Sequence, residues 1–167
     1  MSDTIQKKVC ILGAFAVGKT SLVTRYVQGI FSEQYRSTIG VRVDKKQVVR
    51  QGRQTTLVLW DIAGEDEFAS VPIGYLRGAA GYLLVADGTR GETLQVAAEL
   101  RARVERQVGK IPFVFLLNKV DLSELWTAQE QTIHPVAAGS LAFVCTSAKT
   151  GKGVEHAFDV LTEGITL

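Results

Sequence analysis

A glycine-rich segment near the N-terminus constrains the fold of this chain more than any other feature. Residues 13–20 read GAFAVGKT and match the pattern G-x-x-x-x-G-K-[ST]. They follow the apolar run Val9–Leu12 and precede a segment with helical periodicity, the strand–loop–helix context in which this pattern is meaningful. Backbone amides of such a loop, and of the helix after it, converge on one anion. The segment therefore predicts a phosphate-binding loop.

Two side chains at the end of this loop complete the predicted phosphate site. Lys19 is expected to give its charge to the β- and γ-phosphates of a nucleoside triphosphate, and the Thr20 hydroxyl to ligate Mg²⁺. The loop and the first turn of the helix are expected to supply backbone contacts. The predicted nucleotide-binding residues here are Gly13, Ala14, Phe15, Ala16, Val17, Gly18, Lys19, Thr20 and Ser21.

Short apolar runs alternate with helical patterns along the rest of the chain. Strands are predicted at Val9–Leu12, Val41–Val49, Thr55–Trp60, Tyr82–Ala86, Phe113–Leu117 and Leu141–Cys145. Helices are predicted at Lys19–Gln28, Glu67–Leu76, Glu92–Val108 and Val154–Glu163. Such alternation is typical of a three-layer α/β fold, and several strands are apolar throughout, as expected when helices cover both sheet faces.

Two segments depart from this simple alternation. Val41–Val49 and Thr55–Trp60 are separated by a short turn containing Gly52, which predicts a hairpin and hence an antiparallel pair. A helix within Ser123–Gly139 should be short or broken at His134-Pro135, because proline lacks the amide that a helix interior needs. The prediction is a P-loop NTPase fold, with a six-stranded, mostly parallel sheet, one antiparallel edge strand and about five flanking helices.

Composition and termini bound the class of protein. Hydrophobic residues make up 46% and charged residues 22%, and the length of 167 residues predicts one domain, 1–167. The net charge of +2, with dispersed basic residues, gives no support for nucleic acid as a partner. Cys10 and Cys145 lie in apolar runs and are expected to be buried, reduced thiols. Residue 2 is not glycine, and no C-terminal cysteine or membrane-length apolar run exists, so a cytoplasmic chain without its own membrane anchor is expected.

A polar segment directly after Phe113–Leu117 predicts which base is bound. It reads NKVD, and the Asp121 carboxylate can accept two donors from the Watson–Crick edge of guanine, a pair that adenine lacks. Asn118 can bridge to the phosphate loop, and the Lys119 stem can cover a purine face. Taken alone, the tetrapeptide is also compatible with a polar turn after a strand. A backbone amide for the guanine oxygen is expected from Ser147, Ala148 and Lys149.

The order and spacing of these motifs resemble those of a Ras-superfamily small GTPase, and of the Rab-like branch in particular. Further matching segments are residues 35–40 (YRSTIG), 60–65 (WDIAGE) and 75–79 (YLRGA), and the resemblance extends from Lys7 over essentially the whole remaining chain. It implies a guanine-nucleotide-binding switch that hydrolyses GTP to GDP and phosphate with Mg²⁺. It also implies effector, exchange and activating proteins that bind the two switch segments.

The resemblance also implies individual roles. Thr38 would ligate Mg²⁺ and sense the γ-phosphate from the first switch, and Asp61 would hold the metal through water. The Gly64 amide would bond the γ-phosphate from the second switch. Phe31 falls where the family places an aromatic edge against guanine, and packing in the core is the alternative reading. The predicted metal ligands are Thr20, Thr38 and Asp61.

Two positions depart from the family pattern where catalysis would occur. Glu65 replaces the usual water-orienting glutamine, and an ionised glutamate only accepts hydrogen bonds. Phe15 occupies a position that is glycine in Ras, where its ring could block the catalytic centre or swing aside onto the second switch. Since phosphoryl transfer depends on positioning and charge stabilisation, slow intrinsic hydrolysis is expected.

A third residue bears on the same question. Arg36 precedes Thr38 by two positions and could supply compensating charge in cis, or could be a solvated effector contact. The predicted catalytic residues are Lys19, Arg36, Thr38 and Glu65. The alternative function is an interaction module that holds GTP or GDP and barely hydrolyses it.

Overall fold

The computed structural model describes residues 4–34, 38, 40–64 and 71–166. Two of the predicted catalytic residues, Arg36 and Glu65, therefore lie outside the described residues. The same holds for most of the predicted first-switch segment and for the first four residues of the helix predicted at Glu67–Leu76.

The core of the fold is one six-stranded sheet with the strand order β2-β3-β1-β4-β5-β6. Only the β2–β3 pair is antiparallel, and the other pairs are parallel. This confirms the predicted mostly parallel sheet with an antiparallel edge strand. The strands are β1 Ile5–Gly13, β2 Val41–Arg50, β3 Arg53–Ile62, β4 Ala79–Asp87, β5 Phe113–Asn118 and β6 Phe143–Thr146.

Five α-helices and a 3₁₀ helix flank the sheet in the described part of the chain. Their bounds are α1 Lys19–Gln28, α2 Ile73–Leu76, α3 Glu92–Val108, α4 Glu130–Ala137 and α5 Val154–Thr166, with the 3₁₀ helix at Val120–Leu125. The helix predicted at Glu67–Leu76 was wrong at Val71 and Pro72. Pro72 has an extended backbone and caps α2. Val71 precedes this proline, and the residue before a proline is disfavoured in helical conformation.

The helix expected within Ser123–Gly139 is short, as predicted, but its interruption lies elsewhere. The chain leaves helical conformation between the 3₁₀ helix and α4, whereas α4 continues through Pro135 and ends at Ala137. Pro135 lies within an eight-residue helix, so only one backbone hydrogen bond of its second turn is lost. That loss does not break so short a helix.

Two hydrophobic clusters cover the two faces of the sheet. On one face, α1 and α5 pack on alternate strand residues, and the rings of Tyr26 and Phe158 stack with centroids 3.8 Å apart. On the other face, α3 and α4 pack on the intervening residues, with Leu100 and Val136 in the cluster. Each central strand is therefore buried on both sides, which explains its continuous apolar sequence.

Both cysteines are free thiols, but only Cys10 is buried. Cys145 is half-buried because β6 is an edge strand, so the expectation of two buried thiols was wrong for this residue. Burial raises the pKa of Cys10 to about 11 and also raises the pKa of Cys145. Among the described residues, no helix combines the length and apolar character that crossing a membrane requires.

Candidate functional site

A cleft of about 660 Å³ opens at the edge of the sheet where the parallel strands end. Loops at the carboxyl ends of parallel strands form the usual ligand site of such sheets. The predicted residues that line the cleft are Phe15, Ala16, Gly18, Lys19, Thr20, Ser21, Phe31, Thr38, Gly64, Asn118, Lys119, Asp121, Ala148 and Lys149. The structure thus brings together motifs that are more than a hundred residues apart in the chain.

The loop between β1 and α1 approaches its neighbours too closely for side chains at its two flanking glycines. A Cβ on Gly13 would overlap the carbonyl oxygen of Val85, and one on Gly18 would overlap the Asn118 side-chain amide. Gly18 also has a φ of 103°, in the region that glycine alone adopts freely. Glycine at these positions is what allows the backbone amides of the loop to face the cleft.

Lys19 is buried at the base of this loop, with 6% of its surface exposed. Its Nζ donates to the carbonyl oxygens of Gly13, at 3.0 Å, and Ala14, at 3.1 Å. Burial lowers the pKa of Lys19 to about 8, while the charge of Asp61 acts in the opposite direction. The ammonium group is thus charged near neutral pH and has lost most of its hydration, which strengthens its attraction for an anion in the cleft.

The three predicted metal ligands lie together beside Lys19. The Thr20 hydroxyl donates to Asp61 Oδ2 at 2.6 Å, and the hydroxyls of Thr20 and Thr38 are also 2.6 Å apart. Asp61 is fully buried, and its Oδ1 has no hydrogen-bond partner among the described residues. Burial raises the pKa of this carboxyl, opposed by the Thr20 hydrogen bond and the Lys19 charge. A compact set of hard oxygen atoms with an unsatisfied carboxylate fits Mg²⁺.

The predicted base-binding residues are held in place by hydroxyl groups. Asn118 Nδ2 donates to the Val17 carbonyl at 3.0 Å, and Asn118 Oδ1 accepts from Thr146 at 3.1 Å. The exposed Asp121 accepts from the Ser147 hydroxyl at 2.8 Å. This leaves oxygen atoms of Asp121 facing the cleft, where they can accept hydrogen bonds from a base. The predicted bridge from Asn118 to the phosphate loop is therefore observed.

Two residues at the cleft, Phe31 and Phe15, were left with alternative interpretations by the sequence. Phe31 packs against the α1–α5 cluster and also lines the cleft, so the core and the site share its ring. Phe15 lines the cleft with 44% of its surface exposed. Gly64 approaches the backbone of Phe15 so closely that a Cβ would overlap its Cα and N atoms. The loops bearing Phe15 and Gly64 therefore touch through backbone.

The predicted residues that do not line the cleft support it from behind. They are Gly13, Ala14, Val17, Asp61 and Ser147, which hold Lys19, Asn118, Thr20 and Asp121 through the contacts above.

The charged residues near the cleft that sequence reasoning missed include Arg42, Asp87 and Arg90. Arg42 lines the cleft and pairs across β2–β3 with Asp61. Its position could have been found by counting back from the predicted hairpin turn, since facing residues of a hairpin share one side of the sheet. Asp87 and Arg90 belong to no motif, and no sequence signal pointed to them.

Fold and site together define a P-loop protein built to bind a guanine nucleotide, and comparison with known proteins agrees. The family model described as "Ras family" matches residues 8–167. The chain is 36% identical over 163 residues to the Ypt/Rab-type GTPase Rab7 of Neurospora crassa, covering 92% of this chain and 79% of the relative. It is 36% identical over 162 residues to the Ras-related protein Rab7 of Drosophila melanogaster, with coverages of 93% and 78%.

The chain belongs to the Ras family and is Rab-like. It is a small GTPase that binds GTP and GDP with Mg²⁺, hydrolyses GTP, and acts as a switch with regulatory and effector partners. A third relative, the Ras-related protein RabJ of Dictyostelium discoideum, is 36% identical over 163 residues, covering 95% of this chain and 62% of that protein.

Proposed function

We propose that this chain is a slowly hydrolysing GTPase switch whose nucleotide lies in the cleft described above. The observation that carries the proposal is the convergence of Lys19, the Thr20–Thr38–Asp61 oxygens and the Asn118–Asp121 segment on one cleft. A cation, a hard-oxygen cluster and paired acceptors match triphosphate, metal and base.

At the phosphate end, we assign the triphosphate to the backbone amides of residues 13–18 and to Lys19. Thr20 and Thr38 would ligate Mg²⁺, and Asp61 would hold it through water. The unpartnered Oδ1 of Asp61 supports this assignment. When bound, the ion supplies positive charge that neutralises the triphosphate during transfer. Lys19 adds a second charge from a desolvated position, where it acts most strongly.

At the base end, Asp121 would accept the two donors of the guanine edge. Asn118 keeps this segment attached to the phosphate loop, and Lys119 and Phe31 would flank the purine ring. The segment Ser147–Lys149 would provide an amide to the guanine oxygen. The hydrogen bond from Ser147 to Asp121 supports the assignment, because it orients the carboxylate before the base arrives.

Hydrolysis would be slow because of two residues at the γ-phosphate end. The exposed Phe15 ring lies on the loop that touches Gly64, and Glu65 is the next residue in the chain. A bulky ring and a carboxylate would both hinder the water that must attack the γ-phosphate. Arg36 would supply compensating charge from the first switch. The residues around Thr38 and Gly64 would present the nucleotide state to effectors.

Single-turnover hydrolysis tests this proposal directly. We expect Glu65→Gln to raise the rate by about tenfold or more, since one well-placed donor at a transition state contributes at least that much. Phe15→Gly should also raise the rate, because it removes the ring that hinders the attacking water. Arg36→Ala should lower the rate. If the hydrolysis rate rises in neither Glu65→Gln nor Phe15→Gly, the proposal of slow hydrolysis is contradicted. Purified protein that carries mostly GTP would favour the alternative of an interaction module that barely hydrolyses it.

The chain would act as a single G domain, 1–167, in the cytoplasm. One sheet with helices on both faces extends from β1 to α5, which supports a single domain. The free thiols of Cys10 and Cys145 support a reducing compartment. Limited proteolysis with GDP bound should yield one resistant core, and two stable fragments of comparable size would contradict a single domain.

A further inference from the structure

Asp87, at the end of β4, is a buried carboxylate that contacts two cationic side chains beside the phosphate loop. It is fully buried, and it accepts from the Thr89 amide at 2.8 Å and the Thr89 hydroxyl at 2.7 Å. Lys119 Nζ lies 2.7 Å from its Oδ2, and Arg90 Nε donates to the same oxygen at 3.3 Å. Burial alone would raise the pKa of Asp87, but hydrogen bonds from Lys119 and Thr89 outweigh it and lower the pKa. The group is therefore a charged anchor.

Both cations that Asp87 holds also donate to the phosphate loop. Arg90 Nη2 donates to the Phe15 carbonyl at 2.6 Å, and Lys119 Nζ donates to the Ala16 carbonyl at 3.3 Å. Two successive carbonyl groups of the loop are thus held from the Asp87 side. The short Arg90 contact joins a charged donor to a backbone acceptor, which is a strong class of hydrogen bond.

These contacts determine where the next backbone amides point. In a trans peptide the C=O and the following N–H point in opposite directions. A Phe15 carbonyl held by Arg90 therefore turns the Ala16 N–H away from Arg90, and Ala16 lines the cleft. The Val17 amide, whose preceding carbonyl is held by Lys119, turns inward in this way and reaches the Ala14 carbonyl at 3.4 Å.

The backbone conformation of Ala16 indicates that the Phe15–Ala16 peptide needs contacts that hold it in place. Its φ is 63°, in the left-handed region, which is unfavourable for a residue with a side chain. Successive right- and left-handed residues form the amide-lined concavity that binds anions. Without its outer contacts, the Phe15–Ala16 peptide would gain freedom to rotate away from this conformation.

We propose that Arg90 is a positioning residue for the nucleotide's phosphates: by holding the Phe15 carbonyl, it aims the Ala16 amide into the phosphate site. This inference rests on the proposed assignment of residues 13–20 as that site. Arginine suits the task because its planar guanidinium donates from Nε to Asp87 and from Nη2 to Phe15 at once. A lysine offers one ammonium group and satisfies both acceptors poorly.

The test compares Arg90→Ala with a matched arginine elsewhere. Arg101 also pairs with an acidic side chain, Glu105, and donates to a backbone carbonyl, Val136, at 3.1 Å, but it joins α3 to α4 away from the cleft. We expect Arg90→Ala to release fluorescent GDP about tenfold faster than the wild type, as for loss of one charge-assisted hydrogen bond. The GDP release rate of Arg90→Lys should lie between those of the wild type and Arg90→Ala. Arg101→Ala should release GDP at the wild-type rate.

A second measurement separates positioning from general destabilisation. In ¹H–¹⁵N spectra of the GDP-bound protein, Arg90→Ala should shift the Ala16 amide resonance, whereas Arg101→Ala should leave it in place. An unchanged Ala16 resonance and an unchanged GDP release rate in folded Arg90→Ala protein would overturn the inference. If the alanine variant does not fold, Arg90→Met keeps a long side chain without a hydrogen-bond donor and serves the same comparison.

Lys19→Ala distinguishes failure of this inference from failure of the site assignment. If Lys19→Ala retains GDP as the wild type does, the assignment of the phosphate site is wrong and the role of Arg90 falls with it. If Lys19→Ala loses GDP while Arg90→Ala retains it at the wild-type rate, the site stands and only the role of Arg90 is overturned.

Discussion

The two ends of the cleft are built differently. At the base end, Asn118 and Asp121 accept hydrogen bonds from hydroxyls in or just after the last strand, at 3.1 and 2.8 Å. At the phosphate end, Phe15 is 44% exposed, and its loop touches Gly64. Gly64 is the residue immediately before Glu65. The base end is therefore held by buried strand ends, whereas the phosphate end depends on contacts between loops. This difference predicts that changes at the base end alter nucleotide binding, whereas changes at Phe15 and Glu65 alter hydrolysis.

The largest expected effect lies at the base end. Asp121→Asn replaces a pair of acceptors by one acceptor and one donor, so GDP affinity should fall on the order of 10⁴-fold. Displacement of fluorescent GDP measures it. Glu124→Gln, an exposed carboxylate of the same 3₁₀ helix, is the matched control and should bind GDP normally. If Asp121→Asn retains the wild-type affinity for GDP, the assignment of Asp121 to base binding is wrong.

The next effect tests the metal cluster at the phosphate end. Thr20→Val removes the hydroxyl that contacts both Thr38 and Asp61, so the Mg²⁺ concentration needed to slow GDP release should rise roughly 10- to 100-fold. Titration of the release rate with Mg²⁺ measures the shift. Thr24→Val, one turn further along α1 and also lining the cleft, should titrate as the wild type does. An unshifted curve for Thr20→Val would place the metal elsewhere.

A smaller effect tests whether hydroxyls hold the base end. Thr146→Val leaves the buried Asn118 Oδ1 without its donor, which should reduce the free energy of unfolding by about 1–3 kcal/mol and speed GDP release. Urea unfolding and GDP release measure the two effects. Thr162→Val removes another buried hydroxyl, which donates within α5, and should leave GDP release unchanged. Equal release rates in the two variants would mean that Thr146 does not organise the site.

The smallest effect concerns strain in the phosphate loop. Ala16→Gly relieves a left-handed backbone and should stabilise the protein by about 0.5 kcal/mol, because the strain exceeds the extra freedom of glycine in the unfolded chain. Ala14→Gly, at a buried position without positive φ, should destabilise it. Thermal unfolding with equal excess GDP compares them. A loss of stability in Ala16→Gly would show that the loop is not strained there.

The elements predicted from periodicity were found, and α1 and α3 have the predicted bounds, whereas the strands begin or end at other residues. β1 begins at Ile5 rather than Val9, because it pairs with β3 from Ile5 onward while Lys7 and Lys8 carry no apolar signal. Lys8 instead lies over the Trp60 ring, 3.7 Å from its centroid. β6 begins at Phe143 rather than Leu141, although the Leu141 amide already donates to the Phe113 carbonyl of β5 at 2.8 Å.

The sequence by itself determined the alternation of strands and helices, and it predicted the phosphate loop and a guanine-selecting role for Asp121. Each of these is a local pattern, because a motif or a period is fixed by residues that are neighbours in the chain. Only the tertiary structure decided that Phe31 serves both core and cleft, and that Arg90 holds the loop. The Arg90–Phe15 contact joins residues 75 positions apart, and a side chain reaching a distant carbonyl leaves no periodic trace in the sequence.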